Sequence, residues 1–314
     1  MNNTFTISFP GLGINGWNIN SIAFTIPILG GIEVRWYGIC IAIGMLMAIM
    51  YAGYRCKQHG ISLDDLLDVA IFTIFFGVVG ARAFYIIFNP GAFSTVKEML
   101  GFGPQGLAGL AIYGGIIAGA TTLAISCFVK KISWRKLFDC AGPGVMIAQA
   151  MGRWGNFFNG EAYGGITSLP WRMSSSKFII ELKNNATVSL TDAQLEGLQN
   201  GSLGVHPTFL YESLWNVLGF VIINLLYKKK KFDGEIALWY FGWYGFGRML
   251  IEGLRTDSLY IGSTGIRVSQ LLGFLLFALA AALTVYGRVV TKKKAMAVEI
   301  VEEASQVEET PEEK

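Results

Sequence analysis

Histidine and cysteine are scarce in these 314 residues, with two of the first and four of the second. His59 and His206 are far apart in sequence, and Cys40, Cys56, Cys127 and Cys140 fall within or at the ends of apolar segments, with no CxxC spacing. That pattern supports neither a disulfide framework nor a zinc site, and no metal or other cofactor is expected. Charged residues make up only 15% of the chain, with a net charge of +3, and no nucleic-acid partner is expected. No Lys or Arg precedes Arg35, so the basic n-region of a cleaved signal peptide is missing. No internal repeat marks a two-fold transporter fold.

What the chain has in abundance is apolar surface. At 53% hydrophobic residues it is too greasy for a soluble domain of this size. A bilayer core about 30 Å thick needs roughly 20 apolar residues per helix. Seven such windows occur, near 36–55, 67–89, 107–129, 137–158, 208–227, 235–254 and 266–288. Arg55 and Lys57, then Lys130, Lys131, Arg135 and Lys136, then Lys228 to Lys231, then Arg288 and Lys292 to Lys294 fall in every second connection. By the positive-inside rule these connections are cytoplasmic, which places the N-terminus outside and the C-terminus inside. The expected fold is therefore an all-α polytopic membrane protein with seven transmembrane helices and a small extracytoplasmic head.

Three regions follow along the chain. Residues 1–35 read as an extracytoplasmic or interfacial segment, 36–290 as the membrane domain, and 291–314 as a cytoplasmic tail. From Glu299 onward that tail carries seven acidic residues and few large apolar ones, which predicts disorder. The head is an insertion at 160–206, in which Leu190 to Leu195 reads as a capped helix start. It is too short for a large core of its own and should pack on the membrane domain. The connection from Asn89 to Gly106, rich in Gly and Pro, reads as a mobile or re-entrant loop.

A charge at bilayer centre costs about 2.5 to 3.5 kcal/mol on insertion scales, so charged residues at that depth face an interior or a wet cavity. They are Arg82, Arg153, Glu212, Arg248 and Glu252. Arg82 fits a structural ion pair as well as a lipid headgroup contact, whereas Asp64, Asp65 and Asp68 fit a cytoplasmic helix start. Tyr244, Arg248, Glu252 and Arg255 stand at i, i+4, i+8 and i+11, one face of a helix. Arg248 and Glu252 can pair there, but two arginines exceed what one glutamate neutralises, so an anionic ligand completes the stripe. In "MGRWGNFFNGEAYGG", Met151 to Gly165, Arg153 offers a planar fork for phosphate oxygens, Asn156 and Asn159 offer orienting amides, and Glu161 offers a proton acceptor. A phosphate-bearing lipid from the outer leaflet suits that set. His59 reads as inert, and His206 as a helix-entry residue.

The pattern "GRWGNFFNGEAYG", Gly152 to Gly164, resembles the signature of the bacterial prolipoprotein diacylglyceryl transferases. It is joined in order by "RWYG" at Arg35 to Gly38, "HPTFLYE" at His206 to Glu212, and "YGFGRMLIEGLRTD" at Tyr244 to Asp257. The resemblance covers Arg35 to Arg288. It implies a seven-helix enzyme of the bacterial cytoplasmic membrane with its site toward the outer leaflet. Such an enzyme transfers the diacylglyceryl group of phosphatidylglycerol to the lipobox cysteine thiol of a prolipoprotein signal peptide, as the first step of lipoprotein maturation. The family roles carry Arg153, Asn156, Tyr37, Tyr244, Gly164 and Arg248 to phosphatidylglycerol binding. Arg153, Glu161, Arg248 and Tyr113 carry over to catalysis, with Asn159, His206, Glu212, Glu252 and Arg255 in support. One departure stands out. Where family members often show His-Gly-Gly in the third helix, this chain has Tyr113-Gly114-Gly115, and a tyrosine of reference pKa near 10 is a poor base at neutral pH.

The chemistry needs a thiolate, because a cysteine of pKa about 8.5 is mostly protonated at neutral pH. Arg153 and Arg248 are expected to clamp the phosphate, Glu161 to act as base or to orient an arginine, and Asn156 and Tyr244 to position the lipid. The rival from another class is a membrane transporter of an anionic solute, since arginines lining a bundle also form an anion path. An odd helix count and polar residues gathered toward one side argue against it.

Overall fold

The computed structural model describes residues 3–27, 31–91, 93–101, 109–185, 189–256, 258–262 and 264–308. It is a mostly helical membrane protein with long helices at all seven apolar windows. These are α1 (Trp36–Gln58), α2 (Leu63–Phe88), α4 (Ile112–Val129), α5 (Trp134–Asn159), α8 (Thr208–Leu226), α9 (Glu235–Ile251) and α10 (Val268–Glu308). Shorter helices are α3 (Val96–Met99), α6 (Ser176–Asn184) and α7 (Asp192–Asn200). Five of the long helices, α1, α2, α4, α8 and α10, are long and apolar enough to cross a membrane. Helix α5 is the most polar of the rest, with Arg135, Lys136, Asp139, Gln149 and Arg153 along it, and α9 is a 17-residue helix about 25 Å long.

The all-α expectation is corrected by six short strands. These are β1 (Thr4–Phe9), β2 (Ile14–Asn20), β3 (Ile22–Ile26), β4 (Ile32–Arg35), β5 (Ile166–Thr167) and β6 (Gly204–Val205), paired as β1 with β2, β3 with β4 and β5 with β6. The tail differs too. Helix α10 runs to Glu308, through most of the stretch expected to be disordered, because Ala, Glu, Lys, Met and Gln are good helix formers by intrinsic propensity. Residues 309–314 of that tail lie outside the described residues, as do 92 and 102–106 of the loop expected to be mobile and 107–108 at the start of the third apolar window.

The chain forms two compact units, residues 49–141 and residues 1–48 with 142–314, whose boundaries fall inside α1 and α5. In the 49–141 unit, α2 and α4 pack backbone to backbone. A Cβ on Gly114 would strike the carbonyl of Gly80, and one on Gly80 would strike Ala118, which is the small-residue packing expected in lipid. Arg82, buried in α2, donates to the main-chain oxygens of Met99 at 2.8 Å, Glu98 at 2.5 Å and Gly109 at 3.1 Å, and lies over the Phe93 ring. These bonds tie Arg82 to the connection that leads from α2 to α4. Ser62 caps α2, and Lys130 bridges Asp65 at 2.8 Å and Asp68 at 2.7 Å, which raises the Lys130 pKa to about 12. All four cysteines are buried thiols outside any disulfide.

In the larger unit, α8 and α9 interlock through Trp215 and Trp243, stacked at 4.4 Å. Each indole N–H donates to the other's carbonyl, at 3.0 and 2.9 Å. The head is not built from 160–206 alone. Ser8 and Ser174 exchange main-chain bonds of 2.9 and 2.8 Å, and Met173 and Val205 exchange bonds of 3.0 and 2.8 Å. The N-terminal hairpin thus becomes part of the head, and Phe5, Ile7 and Ile19 enter one core with Phe157, Tyr163, Phe178, Leu182, Leu198 and Phe209. Alternating apolar residues in β1 supply that face, which answers how so short an insertion fills a core. Helix α7 begins as the sequence predicts, with a capping box between Thr191 and Gln194.

Candidate active site

The site begins with how α5 stops. Glu161 N–H bonds the Asn156 carbonyl at 3.1 Å and Gly160 N–H bonds that of Phe157 at 3.0 Å, the paired closure of a Schellman turn with Gly160 left-handed at φ 59°. This turn folds the Glu161 carboxylate back over the helix it has just left. Its Oε1 accepts from Asn156 Nδ2 at 3.0 Å and from Asn159 Nδ2 at 3.2 Å, while Oε2 has no described hydrogen bond. Ala162 follows in the left-handed region at φ 56°, and its carbonyl accepts from the Thr208 hydroxyl.

Three segments far apart in sequence then meet through their backbones. Gly164 N–H bonds His206 O at 2.9 Å, His206 N–H bonds Gly165 O at 3.0 Å, and Gly165 N–H bonds Leu254 O at 2.8 Å. A side chain on Gly164 would meet His206 Cβ at 2.7 Å and Leu254 O at 2.8 Å, so the junction requires glycine. Gly164 is thus a structural joint between the end of α5, the start of α8 and the end of α9.

Those three helix ends carry the charges. Glu212, buried on the second turn of α8, is the hub. It is ion-paired with Arg153 of α5, and its Oε1 accepts from Arg248 of α9 at 3.2 Å and from Arg255 at 3.2 Å. Arg248 also pairs with buried Glu252 at 2.6 Å, and Arg153 reaches Asn156 Oδ1 at 3.4 Å. Three guanidiniums thus meet at Glu212, and among the described residues Asn156 links Glu161 to Arg153. Guanidinium forks gathered on one carboxylate at this depth suit the oxygens of a phosphate at the same place.

The single-face reading of the Tyr244 to Arg255 stripe is corrected. Helix α9 ends at Ile251, and Glu252 to Leu254 form a 3₁₀ turn that leaves Arg255 in extended backbone. Arg255 joins the cluster through that turn, and it meets Glu212 while Arg248 takes Glu252. Tyr244 stacks on Tyr240 at 6.2 Å, and the Tyr240 hydroxyl accepts from Gln149 at 3.1 Å. The Tyr37 ring lies against Gly155, where a Cβ would approach it to 2.8 Å. The His206 ring sits 3.2 Å from the Tyr211 hydroxyl, which also accepts from Trp171 at 2.7 Å, and partial burial lowers the histidine pKa. Tyr113, half exposed on the first turn of α4, belongs to the 49–141 unit.

Sequence reasoning ranked Glu212 as support and did not name Arg267, Gln149 or Asn216. Arg267 donates to the Glu252 carbonyl and so ties α10 to the end of α9. Gln149 Oε1, Asn159 Oδ1 and Asn216 Oδ1 are buried acceptors with no partner among the described residues. Gln149 stands one helical turn before Arg153 and Asn216 one turn after Glu212, a spacing that could have marked both.

The family model described as Prolipoprotein diacylglyceryl transferase matches residues 22–286. The chain belongs to this family. Among curated relatives, the phosphatidylglycerol–prolipoprotein diacylglyceryl transferase of Streptococcus sanguinis is 42% identical over 271 residues, 85% of this chain and 95% of the relative. The proteins of the same name from Clostridium kluyveri and Lactobacillus delbrueckii subsp. bulgaricus are 39% and 41% identical, over 85% and 88% of this chain and 96% and 94% of theirs. The family match spans all three segments joined at Gly164, and with them every charge in the cluster.

Proposed function

We propose that the arginine cluster around Glu212 holds the headgroup phosphate of phosphatidylglycerol while this transferase moves the diacylglyceryl group to the thiol of a prolipoprotein lipobox cysteine. The convergence of Arg153, Arg248 and Arg255 on the single buried carboxylate of Glu212 carries this reading. The buried acceptors support it further. An unsatisfied buried acceptor costs about 1–3 kcal/mol, and the terminal glycerol of the headgroup brings two hydroxyl donors that Gln149 and Asn216 lack.

In this reading the thiol proton passes to Glu161 Oε2, the oxygen its two amide donors leave open. Sulfur attacks the glycerol carbon that bears the phosphate oxygen, the carbon–oxygen bond breaks, and glycerol phosphate leaves with the electron pair. Charge grows on that phosphate as the bond breaks, and Arg153 and Arg248 stabilise it there. Asn156, Tyr37 and Tyr244 position the lipid. All seven long helices span the bacterial cytoplasmic membrane, with the N-terminus and head outside, the basic connections and C-terminus inside, and the cluster toward the outer leaflet.

The test incubates purified protein with phosphatidylglycerol and a lipobox peptide and follows glycerol phosphate release and thioether-bearing peptide. Arg153→Lys keeps the charge but loses the fork, and turnover should fall by about 100-fold or more. Glu161→Gln should fall comparably, with partial recovery at high pH as the thiol ionises unaided. Full activity in Glu161→Gln would remove the base role, and full activity in Arg153→Lys would remove the clamp.

A further inference from the structure

The corner between α4 and α5 holds a feature the transfer reaction does not use. A crevice of about 700 Å³ opens there, lined by Leu123, Ala124, Phe128, Trp134 and Phe138, with Lys131 the one charged side chain on its wall among the described residues. Phe128 is 85% exposed and Trp134 54% exposed, so the crevice faces outward from its unit.

The basic residues at this corner have different partners. Lys130 is held by Asp65 and Asp68. Lys131 has no described ion pair and is exposed at the mouth. It also occupies a costly position. Lys131 N–H bonds Phe128 O at 3.2 Å and Ile132 N–H bonds Cys127 O at 2.9 Å, closing α4 with Lys131 left-handed at φ 55°. Glycine is the usual residue at such a closure, because a Cβ is disfavoured there. A lysine held there puts a cation on the rim of an apolar slot. At the start of α5, Arg135 lies 5.4 Å from the Trp134 ring, which lines the same slot. The arrangement is an apolar slot with Lys131 on its wall and Arg135 beside the Trp134 ring that lines it, a tryptophan with basic neighbours as at a membrane interface.

We infer that this crevice is a binding site for an anionic phospholipid, one acyl chain along Leu123, Phe128 and Phe138 and the headgroup phosphate on Lys131 and Arg135. Charge complementarity selects the occupant, since a zwitterionic lipid brings no net negative charge to the two cations already present. The site rests on the proposed orientation only for its leaflet, which is then the cytoplasmic one. It is separate in sequence and in unit from the Glu212 cluster.

The test reconstitutes the full chain in nanodiscs of phosphatidylcholine with increasing fractions of brominated phosphatidylserine, an anionic lipid without a glycerol headgroup. Trp134 quenching is taken as the difference between wild type and Trp134→Phe. Phosphatidylserine should be preferred over brominated phosphatidylcholine by roughly fivefold or more, the effect of one basic residue near an anionic surface. Lys131→Gly/Arg135→Gln should bring that ratio to about one. Glycine suits the left-handed position, so this variant should fold at least as well as wild type, and its transferase turnover on phosphatidylglycerol should be unchanged. Ala124→Phe, which narrows the slot, should reduce quenching by both lipids. A wild-type ratio near one, an unchanged ratio in the double variant, or unaffected quenching in Ala124→Phe would each overturn the site. None of these readouts depends on transfer chemistry or on which leaflet is cytoplasmic, so the two readings fail separately.

Discussion

Arg248 donates to Glu212 across the interface of α8 and α9, at 3.2 Å from Oε1, with Glu212 only 4% exposed. The same carboxylate oxygen takes Arg255, and its partner oxygen takes Arg153, so one buried anion sets the positions of three cations. Removing it does more than delete a hydrogen bond. Glu212→Ala leaves three guanidiniums close together without their common counterion, a change of about 3–5 kcal/mol against folding. Glu212→Gln keeps the shape and one acceptor. It should fold better than Glu212→Ala yet bind phosphatidylglycerol more tightly, because the lipid phosphate no longer competes with a carboxylate, while turnover drops as the arginines lose their alignment. Thermal unfolding in detergent and a KM-against-kcat comparison read both effects. An Ala variant as stable as wild type would mean that Glu212 does not organise the cluster.

The junction at Gly164 makes a sharper steric prediction by contrast with Gly152. A Cβ at Gly164 would be pressed between His206 and Leu254, whereas one at Gly152 meets nothing within 4 Å. Gly164→Ala should therefore lower the folded yield and the unfolding temperature. Gly152→Ala should hold or raise both, since alanine favours a helix interior by about 1 kcal/mol over glycine. Equal behaviour of the two variants would show that the backbone junction tolerates a shift.

Much of this was legible from the chain, for reasons particular residues make plain. Arg153, Arg248 and Glu252 stood out because charge is costly in an apolar window, and Thr191 with Gln194 marked a helix start because capping is local chemistry. The hub role of Glu212 was not legible. Its three partners come from segments joined only when Gly164, His206 and Leu254 pair, a relation with no periodicity to detect. The N-terminal strands were missed because their edge is paired by Ser174, about 165 residues away, and not by a local helix pattern. Arg255 was misplaced because the 3₁₀ turn after Ile251 breaks the 3.6-residue count.

His206 gives a prediction in pH. Partial burial lowers its folded-state pKa below the ordinary value of about 6.5, so the unfolded chain binds the proton more readily. Its contribution to stability is present above that value and is lost as pH falls from about 6.5 through the lowered folded value. Wild type should lose unfolding temperature across that interval by more than His206→Gln does, once the loss common to both is subtracted. Parallel curves would mean that the ring titrates alike in both states.

The orientation can be read with thiol chemistry, because all four native cysteines are buried and give little background. Glu196 is exposed on α7 of the head, and Lys294 is exposed in the basic part of α10. With the head outside, Glu196→Cys should react with a membrane-impermeant maleimide on intact cells, and Lys294→Cys should react only after the membrane is opened. The basic connections carry the physical argument, since translocating Lys228 to Lys231 or Lys292 to Lys294 would work against the membrane potential and the positive-inside bias. The reverse labelling would place the Glu212 cluster toward the cytoplasmic leaflet, where a lipobox cysteine emerging on the outer side could not reach it.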